Sequence, residues 1–261
     1  MLGAGLRFAL SIPLLFAIVR ARGGRVTTST FRQAALPGIA FGINLMFVFA
    51  ALQEIPVALM TVAIALQPAV LLLVAGPLFN ERPTRAHVLW TVVGIVGTIG
   101  VILGAGPEVS ATALGLILAF AAMLTFTVYF ALTRLARSTT DVDPFEWMTA
   151  INVWSLIAII PPALFTVRGE QWAEFDGRDL FWLIILAFFT GVAGHVLMSW
   201  VHGYIEAARS SLYLLGMNIW AVALAWPVHG EPVTVVQMLS GLVVLFAVAM
   251  VIRIPAINTS T

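Results

Sequence analysis

The chain reads as an all-α polytopic membrane protein, with nine predicted transmembrane helices arranged as two inverted-topology repeats. Three observations carry that reading. In composition, 61% of the 261 residues are apolar, 10% are charged and the mean hydropathy is +1.04, whereas roughly 25% of a soluble domain is charged and about half is apolar. In length, apolar runs between charged or turn residues repeatedly reach the ~20 residues that a spanning helix needs. In punctuation, the polar stretch "FNERPTRAH" at 79–87 returns in altered form as "HGEPVTVVQ" at 229–237. The short, strictly alternating segments of a membrane β-barrel do not occur in the sequence.

The first run, 2–19, is followed by Arg20, Arg22 and Arg25. A signal peptide carries its charge before the apolar stretch and small residues after it, so this run is a retained helix entering from outside. Run 34–52 holds "GIAFG" at 38–42 and then Asn44. Run 55–79 contains Gln67 and Pro68 and leads into Pro77-x-x-x-Glu81. Run 87–105 carries Gly94, Gly97 and Gly100. Small-residue faces of this kind let helix backbones approach closely, and packing is their expected role. Run 112–133 carries Tyr129, run 147–167 follows, and run 180–204 carries His195, Ser199 and His202. Runs 210–228, with Asn218, and 233–252 complete the nine, leaving a short tail at 255–261.

Orientation follows from the arginines, the only basic residues besides the histidines. Short loops rich in arginine are held in the cytoplasm. With the C-terminus inside, Arg20, Arg22, Arg25, Arg32, Arg82, Arg85, Arg134, Arg137, Arg209 and Arg253 are cytoplasmic, and only Arg168 and Arg178 fall outside. Arg7 lies within the first helix near its outer end. A multi-pass plasma (inner) membrane protein is expected.

Sliding the chain against itself by 150 residues pairs Ile55 with Ile205, Ala58 with Ala208, Pro77 with Pro227, Glu81 with Glu231, Thr84 with Thr234, Leu89 with Leu239 and Val93 with Val243. In both copies an apolar helix ends in Pro-x-x-x-Glu, a proline and a threonine follow, and a new helix begins, which is the mark of an internal repeat. Five crossings separate Glu81 from Glu231, so the copies face opposite sides. Inverted repeats characterise secondary transporters. The two glutamates also suit the first turn of a helix, where they complement its dipole, and proline is tolerated there.

The stretches "GLRFALSIPLLF", "AALQEIPVALMTVAIALQPAVLLL", "LFNERPTRAHVLWTVVGIVGTIGVIL", "LGLILAFAAMLTFTVYFALTRLAR" and "HGEPVTVVQMLSGLVV" resemble the EamA-type transporters of the drug/metabolite transporter superfamily. The most specific features are Arg7-Phe8 opening a helix, Pro56-Val-Ala58, Pro68 within the next helix and the two glutamate turns. The resemblance implies two inverted five-helix halves that export amino acids, metabolites or drugs. Here the first repeat, 1–106, has four helices and the second, 112–254, has five, as in a 5 + 5 fold lacking its first helix. An upstream apolar segment is one expectation, and a nine-helix protein is the other.

No cysteine is present to form disulfides or thiolate metal sites. No nucleotide-binding loop, hydrolase elbow or zinc-protease motif occurs, and no cofactor, metal or nucleic-acid partner is expected. A gradient-driven exporter of a small amphipathic metabolite, amino acid or drug-like compound, coupled to protons or other ions, is the leading reading. A membrane enzyme or lipid-handling protein using histidine as acid or base is the alternative. Polar side chains are costly in hydrocarbon without a partner, so Asn44, Gln67, Tyr129, His195 and Asn218, well inside the spans, are the expected substrate contacts. The repeat register sets Asn44 one position from His195 and Gln67 one position from Asn218. His195, Ser199, His202 and Glu206 at i, i+4, i+7 and i+11 are expected on one face of a single helix lining a pathway. His195 is suited to contact substrate or carry a proton, since imidazole titrates near neutral pH.

Overall fold

A computed structural model describes residues 2–55, 57–79, 83–104, 112–173, 175–206, 209–210, 213–216 and 234–254. Glu81, Glu231, Asn218, most of the run 210–228 and the tail 255–261 lie outside the described residues. Among the described residues there are helices and turns and no strand. Five helical stretches are long and apolar enough to cross a membrane: Leu2–Ala21, Arg85–Leu103, Ala113–Thr139, Pro144–Thr166 and Gly177–Val201. Shorter apolar helices accompany them.

In chain order the elements are α1 (Leu2–Ala21), α2 (Thr28–Gln33), α3 (Ala35–Ala51), α4 (Val57–Ala65), α5 (Gln67–Phe79), α6 (Arg85–Leu103), α7 (Ala113–Thr139), α8 (Pro144–Thr166), α9 (Gly169–Ala173), α10 (Gly177–Ile185), a π-helical segment (Leu186–Gly194), α11 (His195–Val201) and α12 (Val235–Arg253). Their ends follow local chemistry. α1 stops where Gly23 takes φ 75°, with Gly23 N–H donating to the Arg20 carbonyl at 3.0 Å and Gly24 N–H to the Val19 carbonyl at 2.9 Å. That pair of bonds is a Schellman cap, and glycine takes the left-handed position without steric cost. α8 begins at Asp143-Pro144, where the carboxylate accepts from the Phe145 and Glu146 N–H groups and proline occupies the first helical position. α6 and α12 are both capped by threonine: the Thr84 hydroxyl accepts from His87 N–H and the Thr234 hydroxyl from Gln237 N–H, each within a capping box.

The structure corrects two of the expected spans. The run 55–79 is not one helix but α4 and α5, parted at Leu66. Pro68 has no N–H for the Ile64 carbonyl four residues back and its ring crowds that carbonyl, so the ladder is interrupted there. The run 180–204 changes its hydrogen-bond pattern over the nine residues Leu186–Gly194 and leaves helical form at Val201.

Packing divides the chain into two compact units, Met1–Phe49 with Val128–Tyr204 and Ala50–Thr127 with Ile205–Thr261. Each draws on both of the expected repeats, 1–106 and 112–254, so the packing division differs from the sequence repeat. In the first unit α3 lies against α8 through Gly38 and Gly42: a β-carbon on Gly38 would sit 2.6 Å from Trp154 Cβ, and one on Gly42 2.7 Å from the Ser155 carbonyl oxygen. The Ser155 hydroxyl donates to the Gly38 carbonyl at 2.8 Å, and Trp154 Nε1 donates to the Phe31 carbonyl at 2.8 Å. In the second unit α6 and α12 pack together, with a β-carbon on Gly97 falling 2.8 Å from Val244 Cγ2 and one on Gly100 overlapping Ser240. Both small-residue faces are packing faces, as expected. α7 carries a lipid-type stripe, with Leu114, Ile117, Phe120, Leu124 and Val128 exposed and Gly115, Ala119, Ala122 and Thr127 buried.

Candidate functional site

Within the first unit, four elements bring chemically active side chains together. α1 buries Arg7, Phe8 and Ser11 on one face, the i, i+1, i+4 spacing placing them side by side. α3 contributes Phe41 and Asn44, α7 contributes Tyr129, and α11 opens with His195. Phe41 is the hub. Its ring stacks on Tyr129 with centroids 4.5 Å apart and planes at 21°, meets His195 edge-on at 4.6 Å and meets Phe8 edge-on at 5.7 Å. The Tyr129 hydroxyl lies 3.3 Å from His195 Nδ1 and 3.7 Å from Met148 Sδ. Tyr129 and Asn44 are buried, and His195 is half-buried. A hydroxyl joined to an imidazole at the edge of an aromatic stack can exchange a proton across one hydrogen bond, its direction set by the tautomer.

Of the five expected contact residues, the structure therefore joins Tyr129 directly to His195 and sets Asn44 one turn along α3 from Phe41. Gln67, in the second unit, is buried at the start of α5, and its Nε2 has no hydrogen-bond partner among the described residues. Asn218 lies outside them.

The four-residue stripe from His195 to Glu206 does not share one helix. α11 ends at Val201, because Arg137 Nε donates to the Ser199 carbonyl at 3.2 Å and Arg134 Nη1 donates to the His202 carbonyl. These guanidiniums satisfy carbonyls that a continuing helix would have bonded itself. Ser199 and His202 are fully buried, and His202 packs its ring against Phe130 at 4.2 Å. The Ser199 hydroxyl and both His202 ring nitrogens have no hydrogen-bond partner among the described residues. Glu206 lies beyond the turn, in the second unit, 3.6 Å from Arg209.

An open cavity of about 520 Å³ in the first unit is lined by Arg22, Arg137, Asp141, Asp143, Trp200 and Tyr204, among others, and it reaches Val196, next to His195 in the chain. Its rim is organised by Arg22, which lies 3.4 Å from Asp143 and 4.8 Å from the Phe145 ring. Among the described residues no group of histidines and acids could hold a metal ion.

Sequence reasoning did not single out Phe41, Phe8 or Arg7 as parts of this cluster. The two phenylalanines carry no signal that separates them from other apolar residues. Arg7 did carry one, a charge inside an apolar run, which is costly enough to mark a functional position.

No curated protein sequence matches this chain. A crystal structure of another protein superposes with a TM-score of 0.81 and 18% identity, covering 97% of this chain and 88% of its own. At that identity the likeness is one of fold. The sequence pattern of the EamA-like transporter family matches residues 113–253, more than half of the chain, and the protein is thereby a member of the EamA-like transporter family.

Proposed function

We propose that the protein is a secondary exporter of a small amphipathic compound, working by alternating access, with Tyr129, His195 and Asn44 among its substrate contacts. The observation that carries this reading is the Phe41–Tyr129–His195 cluster. It sets a titratable ring and a phenol on an aromatic stack inside helices that are otherwise lipid-like, and buried polar groups of this sort mark substrate and proton pathways. The cavity lined by Val196 and Leu197 opens on the side bearing Arg22 and Asp143, which the arginine distribution makes cytoplasmic, and we take it as the start of the route to His195. Coupling to protons through His195 fits the same geometry.

Two matched features support the inverted-repeat architecture. α6 spans 85–103 and α12 spans 235–253, so both ends are offset by 150 residues, and both helices are capped by a threonine in a capping box. α3 and α11 end at 51 and 201, again 150 apart. On this reading the repeats are 1–106 and 112–254, the Glu81 and Glu231 motifs precede equivalent helices in the chain on opposite sides of the plasma membrane, and the C-terminus is cytoplasmic. Gln67 in the second unit, with its unpartnered buried amide, is a further proposed polar contact.

The test is flux by purified protein in liposomes, using amino acids, nucleosides and drug-like amphiphiles with and without an imposed pH gradient. Gradient-dependent flux is expected, reduced about tenfold or more in His195→Ala and unchanged in the lipid-exposed control Leu242→Ala. Absence of flux for every compound, or parental flux in His195→Ala, would overturn the reading.

A further inference from the structure

Arg7 is a fixed positive charge within an apolar helix, in the second turn of α1. It is 7% exposed, and its Nε is buried with no hydrogen-bond partner among the described residues. Its guanidinium lies 5.9 Å from the Phe8 ring, at the outer limit of a cation–π contact. On the facing π-helical segment, a β-carbon at Gly191 would lie 3.3 Å from Arg7 Nε and 3.0 Å from the Ser11 hydroxyl oxygen. The guanidinium thus rests close against the backbone at Gly191, where a side chain would crowd it. The Ser11 hydroxyl is turned to the Arg7 carbonyl at 2.8 Å and lies 3.4 Å from the Ala187 carbonyl, so it offers its oxygen, not its proton, to the surroundings. Tyr129 and His195 are both within electrostatic reach of Arg7.

No described carboxylate forms an ion pair with Arg7. In the same unit Asp143 is held by Arg22 and by the start of α8, Glu146 accepts from Arg25 N–H at 3.0 Å, and Asp176 and Asp179 cap α10. A guanidinium does not shed its proton in a protein. Leaving it buried without an anion is expensive.

From this we infer that Arg7 receives the anionic group of the transported compound, and that the substrate class is an organic monocarboxylate with an apolar or planar body. The carboxylate pairs with the guanidinium, whose fork matches it bidentately, and the body lies against Phe8, Phe41 and Tyr129. A single fixed cation sets the charge at one. An ammonium-bearing ligand meets a like charge at Arg7 and finds no described carboxylate in the cluster.

This inference rests on the exporter reading for its physiological meaning, but binding alone tests it. The probes are three compounds of one shape: 3-phenylpropionate, 3-phenylpropionamide and 3-phenylpropylamine. Affinities are measured with the purified protein by calorimetry at neutral pH, and proteoliposome flux of the same compounds is followed separately. The carboxylate is expected to bind about tenfold or more tightly than the amide or amine. Arg7→Lys retains part of that preference and Arg7→Gln abolishes it. Gly191→Ala, which crowds the guanidinium without removing its charge, weakens the carboxylate several-fold and leaves the amide unchanged, which keeps the test open where Arg7→Gln does not fold. Equal binding of all three compounds, no binding of the carboxylate, or an undiminished carboxylate preference in Arg7→Gln overturns the inference. Arg7-dependent carboxylate binding without flux of any compound leaves the inference standing and sinks the exporter reading. Flux of the amine or amide that is indifferent to Arg7→Gln does the reverse.

Discussion

Replacing Gly42 by alanine tests whether the close approach of α3 and α8 positions the aromatic cluster. The new β-carbon would lie 2.7 Å from the Ser155 carbonyl oxygen, 3.0 Å from Ser155 Cα and 3.0 Å from Ala158 Cβ. None of these is the free end of a flexible side chain, so the helices must part. Overpacking of this kind costs about 1–3 kcal/mol. Alanine returns about 1 kcal/mol as the better helix former. With three rigid obstacles the upper part of the range applies, and the net loss is about 2 kcal/mol. Gly38→Ala meets Trp154 Cβ at 2.6 Å and the Ile151 carbonyl oxygen at 2.9 Å and should lose a similar amount. Both clashes are relieved by the same movement of α3, so the double variant should lose clearly less than the sum, with a coupling of about 1 kcal/mol or more. Phe41 lies between the two glycines, and its movement away from Tyr129 should also reduce flux. Thermal unfolding in detergent, followed by tryptophan fluorescence, reads the stability of the parent, the two singles and the double. Gly3→Ala, where a β-carbon meets nothing within 4 Å, is the control and should be neutral or stabilising. Additive losses, or singles as stable as the Gly3→Ala control, would refute the reasoning.

Tyr129→Phe keeps the stack on Phe41 but removes the hydroxyl that meets His195. It is expected to alter the pH dependence of flux more than its maximum, and an unchanged pH profile would exclude the hydroxyl from proton movement. Thr84→Ala and Thr234→Ala each remove a helix cap and should each cost about 1 kcal/mol, read as a lowered thermal midpoint; no change in either would mean that the cap does not limit stability. The sequence has no cysteine, so Ala86→Cys and Val236→Cys, one residue inside the matched helix starts, can be probed on intact cells with an impermeant maleimide. Only Val236→Cys is expected to label, and labelling of Ala86→Cys would contradict the inverted arrangement.

What the sequence revealed and what it hid divide along physical lines. Hydropathy reports the solvent of a segment, so the membrane class was legible. The helix starts at 85, 144 and 235 were each within three residues of the expected runs, because Thr84, Asp143 and Thr234 cap them. The break at Leu66 was hidden although Pro68 was in plain view, because proline is often carried inside membrane helices without a break, as Pro13 is in α1. The π-helical segment leaves no mark on a hydropathy profile. The stripe from His195 to Glu206 assumed that the helix continued. Its end is set by Arg134 and Arg137, more than 60 residues away in the chain, and that is tertiary information. Tyr129 and His195 were singled out because polar groups in hydrocarbon stand out, and Phe41 was not, because its place between them lies in geometry alone.

The two irregular backbones inside the described spans also bear on why polar residues stand where they do. Gln67 follows the break at Leu66 immediately, and His195 follows the π-helical segment immediately. In a bilayer every freed backbone group must find a partner within the protein, so a polar side chain beside a break has a ready explanation as its repair. Neither residue fits that explanation. The Gln67 amide nitrogen has no acceptor among the described residues, so it is not serving the carbonyl that Pro68 leaves open. His195 Nδ1 faces the Tyr129 hydroxyl on another helix instead of its own backbone. Around the π-helical segment the carbonyls are met by other hydroxyls, Thr190 donating to Leu186 at 2.7 Å and Ser11 lying 3.4 Å from Ala187. The Gln67 amide nitrogen and the His195 ring nitrogen that meets Tyr129 are therefore not spent on the backbone beside them. On the proposed transport reading these are groups that a ligand engages, since broken helices are where transporters place their substrate contacts.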